Sequence, residues 1–236
     1  MNILTQDLKK LQGATNYYSW IFREIRPFLS NNVCEIGAGT GTFSRYLYKN
    51  SPDTLLLCEG CENYFLQLLK KFSSNENVKV FQISIPDDLE TLSGLFNKHC
   101  ISSVVLINVL EHIDADKFFL EEIKKMLPKH GRIIVFSPAH RFLFSRLDVI
   151  YGHFRRYSKK EIFRLAHLAD LDVTTFRYFN FFGGVAWFLL HRICQLQSLS
   201  NSSIKIFEFV VPAFSYIENY MSPPFGLSFI AILTKK

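Results

Sequence analysis

No stretch of this chain is apolar for long enough to cross a bilayer as a helix. The longest apolar run, Phe179–Leu190, has 12 residues, against about 20 needed for a span. Cysteine is sparse and unpatterned. The five stand at 34, 58, 61, 100 and 194, an odd set without framework spacing, which argues against a secreted, disulfide-stapled fold. One C-x-x-C pair, Cys58 and Cys61, is followed by no second pair and no paired histidines, so it does not read as a zinc site. Cys34 and Cys58 fall in apolar runs and are expected to be buried thiols. There is no internal repeat and no low-complexity linker. The opening Met1–Gln12 carries Asp7, Lys9 and Lys10 and does not read as a signal peptide. The expected location is cytoplasmic, with contact at a membrane surface left open.

What is present is a globular composition tilted towards apolar residues. Of 236 residues, 48% are hydrophobic and 20% charged. The aromatic load is high, with 24 Phe and 10 Tyr. It suits a tight core, an aromatic pocket or a surface that something covers. The formal charge is +6, partly concentrated at Arg155, Arg156, Lys159 and Lys160. Such a patch attracts anions, or is an ordinary solvated face.

The organisation reads as one domain over 1–236. An N-terminal helical segment (1–30) precedes a core (31–137), and a less regular part follows (138–236). A helix is expected over Asn16–Leu29, loosened late by Pro27. Short, continuously apolar strands then alternate with helices: Val33–Ile36, helix Thr42–Lys49, Thr54–Cys58, helix Asn63–Phe72, Val78–Ile83, Val104–Ile107, helix Asp116–Leu127, Ile133–Phe136. Strands of this kind are covered on both faces, hence parallel and doubly wound. Ala139–Tyr157 shows few regular signals. Ser158 and Glu161 form a capping box for a helix to Leu168, and Val173–Tyr178 and Leu227–Leu233 read as strands. Between those strands, Phe179–Ile217 divides at Ser198–Ser203, and Glu208 and Pro212 interrupt its second part.

The most specific pattern is Glu35-Ile36-Gly37-Ala38-Gly39-Thr40-Gly41, a glycine loop leaving the first strand. In open parallel sheets ligands bind at such a carboxyl end, where strand order reverses. Glu59 ends the next strand and suits a ribose diol. The third glycine comes one residue too early for G-x-G-x-x-G. Glu35 would repel a pyrophosphate but would suit an ammonium group. With Asn108-Val109-Leu110-Glu111-His112 after the fourth strand, the chain resembles a class I S-adenosylmethionine-dependent methyltransferase. Tyr151-Gly152-His153-Phe154-Arg155-Arg156-Tyr157-Ser158 is similar to a bacterial subgroup linked with surface-polysaccharide or lipid-linked glycan pathways. The resemblance implies an α/β, Rossmann-like, doubly wound seven-stranded sheet with its last strand antiparallel and a helical, aromatic lid insertion. It also implies S-adenosyl-L-methionine bound by Glu35, Gly37, Ala38, Gly39, Gly41, Glu59, Gly60, Ser84, Ile85, Asn108 and Leu110. The family often has Asp where Ser84 stands, so adenine would be held by Ser84 or the Ile85 backbone.

For catalysis the candidates are His112, His153 and Tyr157, since only an acceptor that must lose a proton needs a base. Each also has a structural reading: His112 or Glu111 bracing the next helix, His153 as a hydrogen-bonding partner, Tyr157 as a wall. Arg155 and Arg156 would bind an anionic substrate group, or one of them pairs internally with Asp148 or Glu161. No paired acidic set follows the fourth strand, so no metal site is read. The expected reaction is methyl transfer to a small-molecule or lipid-linked acceptor, at oxygen. The alternative from another class is a non-catalytic adenosine-binding or interaction protein. Nucleic acid is not an expected partner, because the N/D-P-P-Y/F motif of amino-methylating DNA enzymes is replaced by Asn108-Val109-Leu110-Glu111. The aromatic segment 179–217 reads as a lid, a homodimer face, a membrane-resting surface or core.

Overall fold

The computed structural model describes residues 6, 7 and 10–236, so much of the Met1–Gln12 segment lies outside the described residues. Seven strands form one sheet: β1 (Asn32–Ile36), β2 (Thr54–Glu59), β3 (Val78–Gln82), β4 (Ser103–Ile107), β5 (Arg132–Pro138), β6 (Leu171–Phe179) and β7 (Ser228–Lys235). Their order is β3-β2-β1-β4-β5-β7-β6. The first five run parallel, and β7 lies antiparallel between β5 and β6. Chain order reverses between β1 and β4, which opens a crevice at their carboxyl ends.

Alternation along each strand builds two apolar layers. Cys34, Ile36, Leu56, Cys58, Val104 and Leu106 face one side. There they meet helices α4 (Leu89–Lys98), α5 (Asp116–Met126) and α7 (Lys159–Leu168). Val33, Leu55, Leu57, Val105, Ile134 and Phe136 face the other. They meet α1 (Thr15–Ile25), α2 (Ser44–Lys49) and α3 (Glu62–Phe72). Helix α1 buries Trp20, Ile21 and Ile25, a stripe at helical spacing. The chain then tightens into a 3-10 turn, Arg26–Phe28, with Pro27 near its start. The helix expected to reach Leu29 therefore ends earlier, as a ring without N–H requires.

Three differences from the sequence reading have physical reasons. Helix α4 was not expected, yet its Leu92 and Phe96 are buried on one face. Helix α6 (Arg146–Tyr151) lies within the stretch read as irregular, and starts with a reciprocal capping box between Ser145 and Asp148. Both helices are short, ten and six residues, too brief for a sustained 3.6-residue pattern. After α8 (Phe181–Trp187) and a π-turn over Phe188–Ile193, helix α9 runs unbroken over Asn201–Tyr220, through Pro212. Its two acids serve other helices. Glu208 accepts hydrogen bonds from the Asn16 and Tyr17 N–H groups at 2.8 and 3.0 Å, at the start of α1. Glu218 accepts from the Asn180 and Phe181 N–H groups at 3.1 and 2.7 Å, at the start of α8. A carboxylate at a helix N-terminus meets unpaired donors and the positive end of the dipole. Among the described residues no helix is long and apolar enough to cross a membrane.

Candidate functional site

The loop after β1 is held to β2 by its backbone. The Gly37 and Ala38 N–H groups both donate to the Cys58 carbonyl, at 2.8 and 3.1 Å. The Gly39 N–H donates to Glu59 Oε2 at 2.7 Å, and the Cys61 N–H to Glu59 Oε1 at 2.8 Å. The loop glycines differ in what surrounds them. A Cβ on Gly37 would lie 2.6 Å from Val109, and one on Gly41 2.8 Å from Leu68. A Cβ on Gly39 would meet nothing within 4 Å. Gly37 and Gly41 are therefore packing positions, and Gly39 faces open space.

This arrangement fits an adenosine cofactor. The space at Gly39 adjoins Glu59, whose two oxygens each accept one N–H and retain lone pairs for a diol. A Cβ on Gly60 would be 3.1 Å from Ser84 Oγ, so the loops after β2 and β3 adjoin. The Ser84 N–H donates to Asp88 at 2.8 Å, and Ile85 is half-buried. Asn108, just after β4, is exposed, with a left-handed φ of 52° and its N–H donating to the Phe136 carbonyl at 2.8 Å.

Two residues assigned to the cofactor do other work. Glu35 is buried and accepts a hydrogen bond from the Ser44 hydroxyl at 2.5 Å. Burial pushes its carboxyl up to about 8, against the opposing effect of Ser44. It ties β1 to α2 through the Ser44 hydroxyl. Leu110 is wholly buried in the core, and its carbonyl accepts from the Tyr157 hydroxyl at 3.1 Å. It props the loop from beneath.

The loop after α6 also departs from expectation. Arg156 is buried and bonds Asp148 at 2.7 and 3.2 Å, with its guanidinium 4.7 Å from the Trp187 ring centroid. It is an internal partner of Asp148, the pairing that the sequence left open. Burial raises the Asp148 carboxyl, but His153 and Arg156 outweigh that and hold it down to about 2. Tyr157 is buried, its hydroxyl donating to Asp116 at 2.9 Å, and burial followed by Asp116 drives its pKa far up. It braces Asp116 and the Leu110 carbonyl. Arg155 is part-exposed and bridges Asp114 at 2.6 Å and Asp116 at 3.1 Å.

His112 and His153 do meet. Their ring centroids are 4.8 Å apart, nearly perpendicular. His153 Nδ1 lies 2.9 Å from Asp148 Oδ1. Burial of the ring, then His153, lowers the His112 imidazole to about 4, although His112 as a whole is exposed. Glu111 lies beneath them, fully buried, and burial raises its carboxyl. Sequence reasoning saw no such cluster because His153 arrives from a separate loop. That loop is clamped by the Phe154 N–H donating to the Glu111 carbonyl at 2.8 Å. Asp148, Ser137 and Ser44, which hold this site together, carried only one local signal, the Ser145-x-x-Asp148 spacing. Apart from the glycine loop, a cavity of about 810 Å³ is lined by Arg141, Arg155, Arg156, Arg164 and Arg192 among others. Among the described residues Arg141, Arg164 and Arg192 form no ion pair with a carboxylate.

Sheet order, crevice and glycine loop define a Rossmann-like nucleoside-cofactor fold. The family model described as "Methyltransferase domain" matches residues 13–175. The chain belongs to this methyltransferase-domain family, whose methyl donor is S-adenosylmethionine. It is 22% identical over 131 residues to the mitochondrial ubiquinone biosynthesis O-methyltransferase of Dictyostelium discoideum, covering 53% of this chain. The chain spans 40% of that relative's length. Solved structures agree in fold. An S-adenosylmethionine-dependent methyltransferase from Thermotoga maritima matches with TM-score 0.60 at 16% identity, over 98% of this chain and 95% of that one. Another from Mesorhizobium loti matches with TM-score 0.57 at 8% identity, over 90% and 96%.

Proposed function

We propose that the protein transfers a methyl group to an oxygen of a small-molecule or lipid-linked acceptor that carries an anionic group. The observation that carries this is the open space at Gly39 beside Glu59. S-adenosylmethionine, when bound, supplies a methyl group already activated on a sulfonium. The protein's task is then to align the acceptor and exclude water. In this reading Gly39, Glu59, Gly60, Ser84, Ile85 and Asn108 line the donor site, and Gly37, Ala38 and Gly41 shape it. Residues 31–137 form the donor half of one domain and 138–236 the acceptor half. The Glu111–His112–His153 cluster, at the end of β4, is where the acceptor's proton is handled. The arginine-lined cavity, with Arg155 at its edge, takes the anionic group.

Oxygen as the target is supported by the relative's own description as an O-methyltransferase. A lipid-linked acceptor is supported by the likeness of Tyr151–Ser158 to the glycan-pathway subgroup, and by the apolar surface of α9. On that helix Ile206, Phe209, Tyr216 and Tyr220 are exposed, Phe209 by 86%. We place the enzyme in the cytoplasm with this face on the membrane.

The direct test is calorimetry with S-adenosylhomocysteine. The unmutated protein binds it, and Gly39→Arg, which fills the open space, abolishes binding. Gly39→Ala, with one methyl group directed into that space and about 1 kcal/mol of left-handed strain, weakens it only modestly. No heat from the unmutated protein would overturn the reading.

A further inference from the structure

Glu111, His112 and His153 each offer one ligand atom, and these atoms lie within 4.8 Å of one another. We propose that they form a site for a divalent transition-metal ion of the zinc class, open on the cleft side to the acceptor's oxygen. What the ion does there rests on the methyl-transfer reading; that it binds does not.

The first reason is an unpartnered atom. Glu111 has no exposure to solvent, and its Oε2 accepts from the Ser137 hydroxyl at 2.7 Å. Its Oε1 is buried and has no hydrogen-bond partner. A buried carboxylate oxygen left bare is costly unless something positive meets it. The two imidazoles come from different loops and each offers a nitrogen within 4.8 Å of a Glu111 carboxylate oxygen; an ion between them and Glu111 supplies the missing partner.

The second reason is how His153 is held. Its Nδ1 hydrogen bonds Asp148 Oδ1 at 2.9 Å, which leaves Nε2 as the free lone pair. Asp148 is itself fixed by Arg156 and by the Ser145 N–H at 2.8 Å. Carboxylate to imidazole to metal is the usual outer support of a metal-bound histidine. Glu111 has a corresponding support in Ser137.

The donor set selects the ion. Two imidazoles and one carboxylate suit zinc and its first-row neighbours, whereas magnesium and calcium prefer oxygen alone. Tetrahedral zinc with bonds of about 2.1 Å sets its ligands roughly 3.4 Å apart. From the 4.8 Å limit the trio therefore closes by up to about 1.4 Å, within reach of side-chain rotation. Three protein ligands leave the fourth position for an exogenous oxygen, whose acidity the ion raises. Such a site supplies at this point what a general base would.

The experiment is metal loading of the full chain after treatment with a chelator. Dialysis against Zn²⁺ followed by elemental analysis should give one ion per chain. With Co²⁺ the visible d–d bands should be those of nitrogen and oxygen ligands, without a thiolate charge-transfer band, which sets aside the exposed Cys61, Cys100 and Cys194. His153→Ala should weaken binding at least 100-fold, and Asp148→Asn 10- to 100-fold. His153→Ala should still bind S-adenosylhomocysteine, which shows that it is folded and separates this result from the donor-site test. Sub-stoichiometric loading, or loading that His153→Ala and His112→Ala leave unchanged, would overturn the proposal.

Discussion

At the scale of single residues, position in the fold reverses several assignments that residue type suggests. Glu35, Arg156 and Tyr157 look like groups for binding or chemistry. All three are buried, and each is engaged by a partner inside the protein. Glu35 leads to a prediction with a definite sign. Its folded-state pKa, about 8, lies above the ordinary 4.5. Its share of stability is therefore complete below pH 4.5 and is lost as pH rises through 8. In the cofactor-free protein, Glu35→Gln should flatten the fall in stability between pH 5 and 8.5, an effect of roughly 1–4 kcal/mol. Urea unfolding at a series of pH values reads this, and an unchanged slope would rule out Glu35 as its source.

At the scale of elements, local signals served well where one helix or strand satisfies itself. The Ser158–Glu161 capping box and the apolar stripe of α5 were visible in sequence because their partners lie within four residues. Helix α9 shows the opposite case. Glu208 and Pro212 read as breaks in an apolar run, yet Glu208 belongs to the start of α1, far away in the chain. No periodicity within α9 encodes that contact. Glu208→Ala should accordingly destabilise the protein by about 1–2 kcal/mol, the range for losing a helix cap, with Glu208→Gln in between. Denaturant midpoints at constant m-value would establish it. Loss of less than a few tenths of a kcal/mol would show that solvent caps α1 equally well.

At the scale of the whole molecule, the question is what covers α9. Its acids are committed to the N-termini of α1 and α8, which pins one face to the body and leaves Ile206, Phe209, Tyr216 and Tyr220 outward. Contiguous exposed apolar surface of this kind marks an interface. Arg192 and Lys205 are exposed on the same segment, which favours an anionic lipid surface. Flotation with vesicles containing anionic phospholipid should recover the protein, and Phe209→Asp with Tyr220→Asp should reduce recovery at least tenfold. If recovery is unchanged and the double variant instead turns a dimer into a monomer by sedimentation, the face belongs to a second copy of the chain.

The alternating apolar strands, the glycine loop and Glu59 were legible from the chain alone, since each rests on neighbours within one strand–loop–helix unit. They carry the fold and the proposed donor site. Which glycine faces open space, which carboxylates stay buried and partnered, and that His153 arrives beside His112 and Glu111 were decided by tertiary structure. Those facts depend on segments far apart in sequence meeting in a low-dielectric interior, where the presence or absence of one partner sets the state of a group.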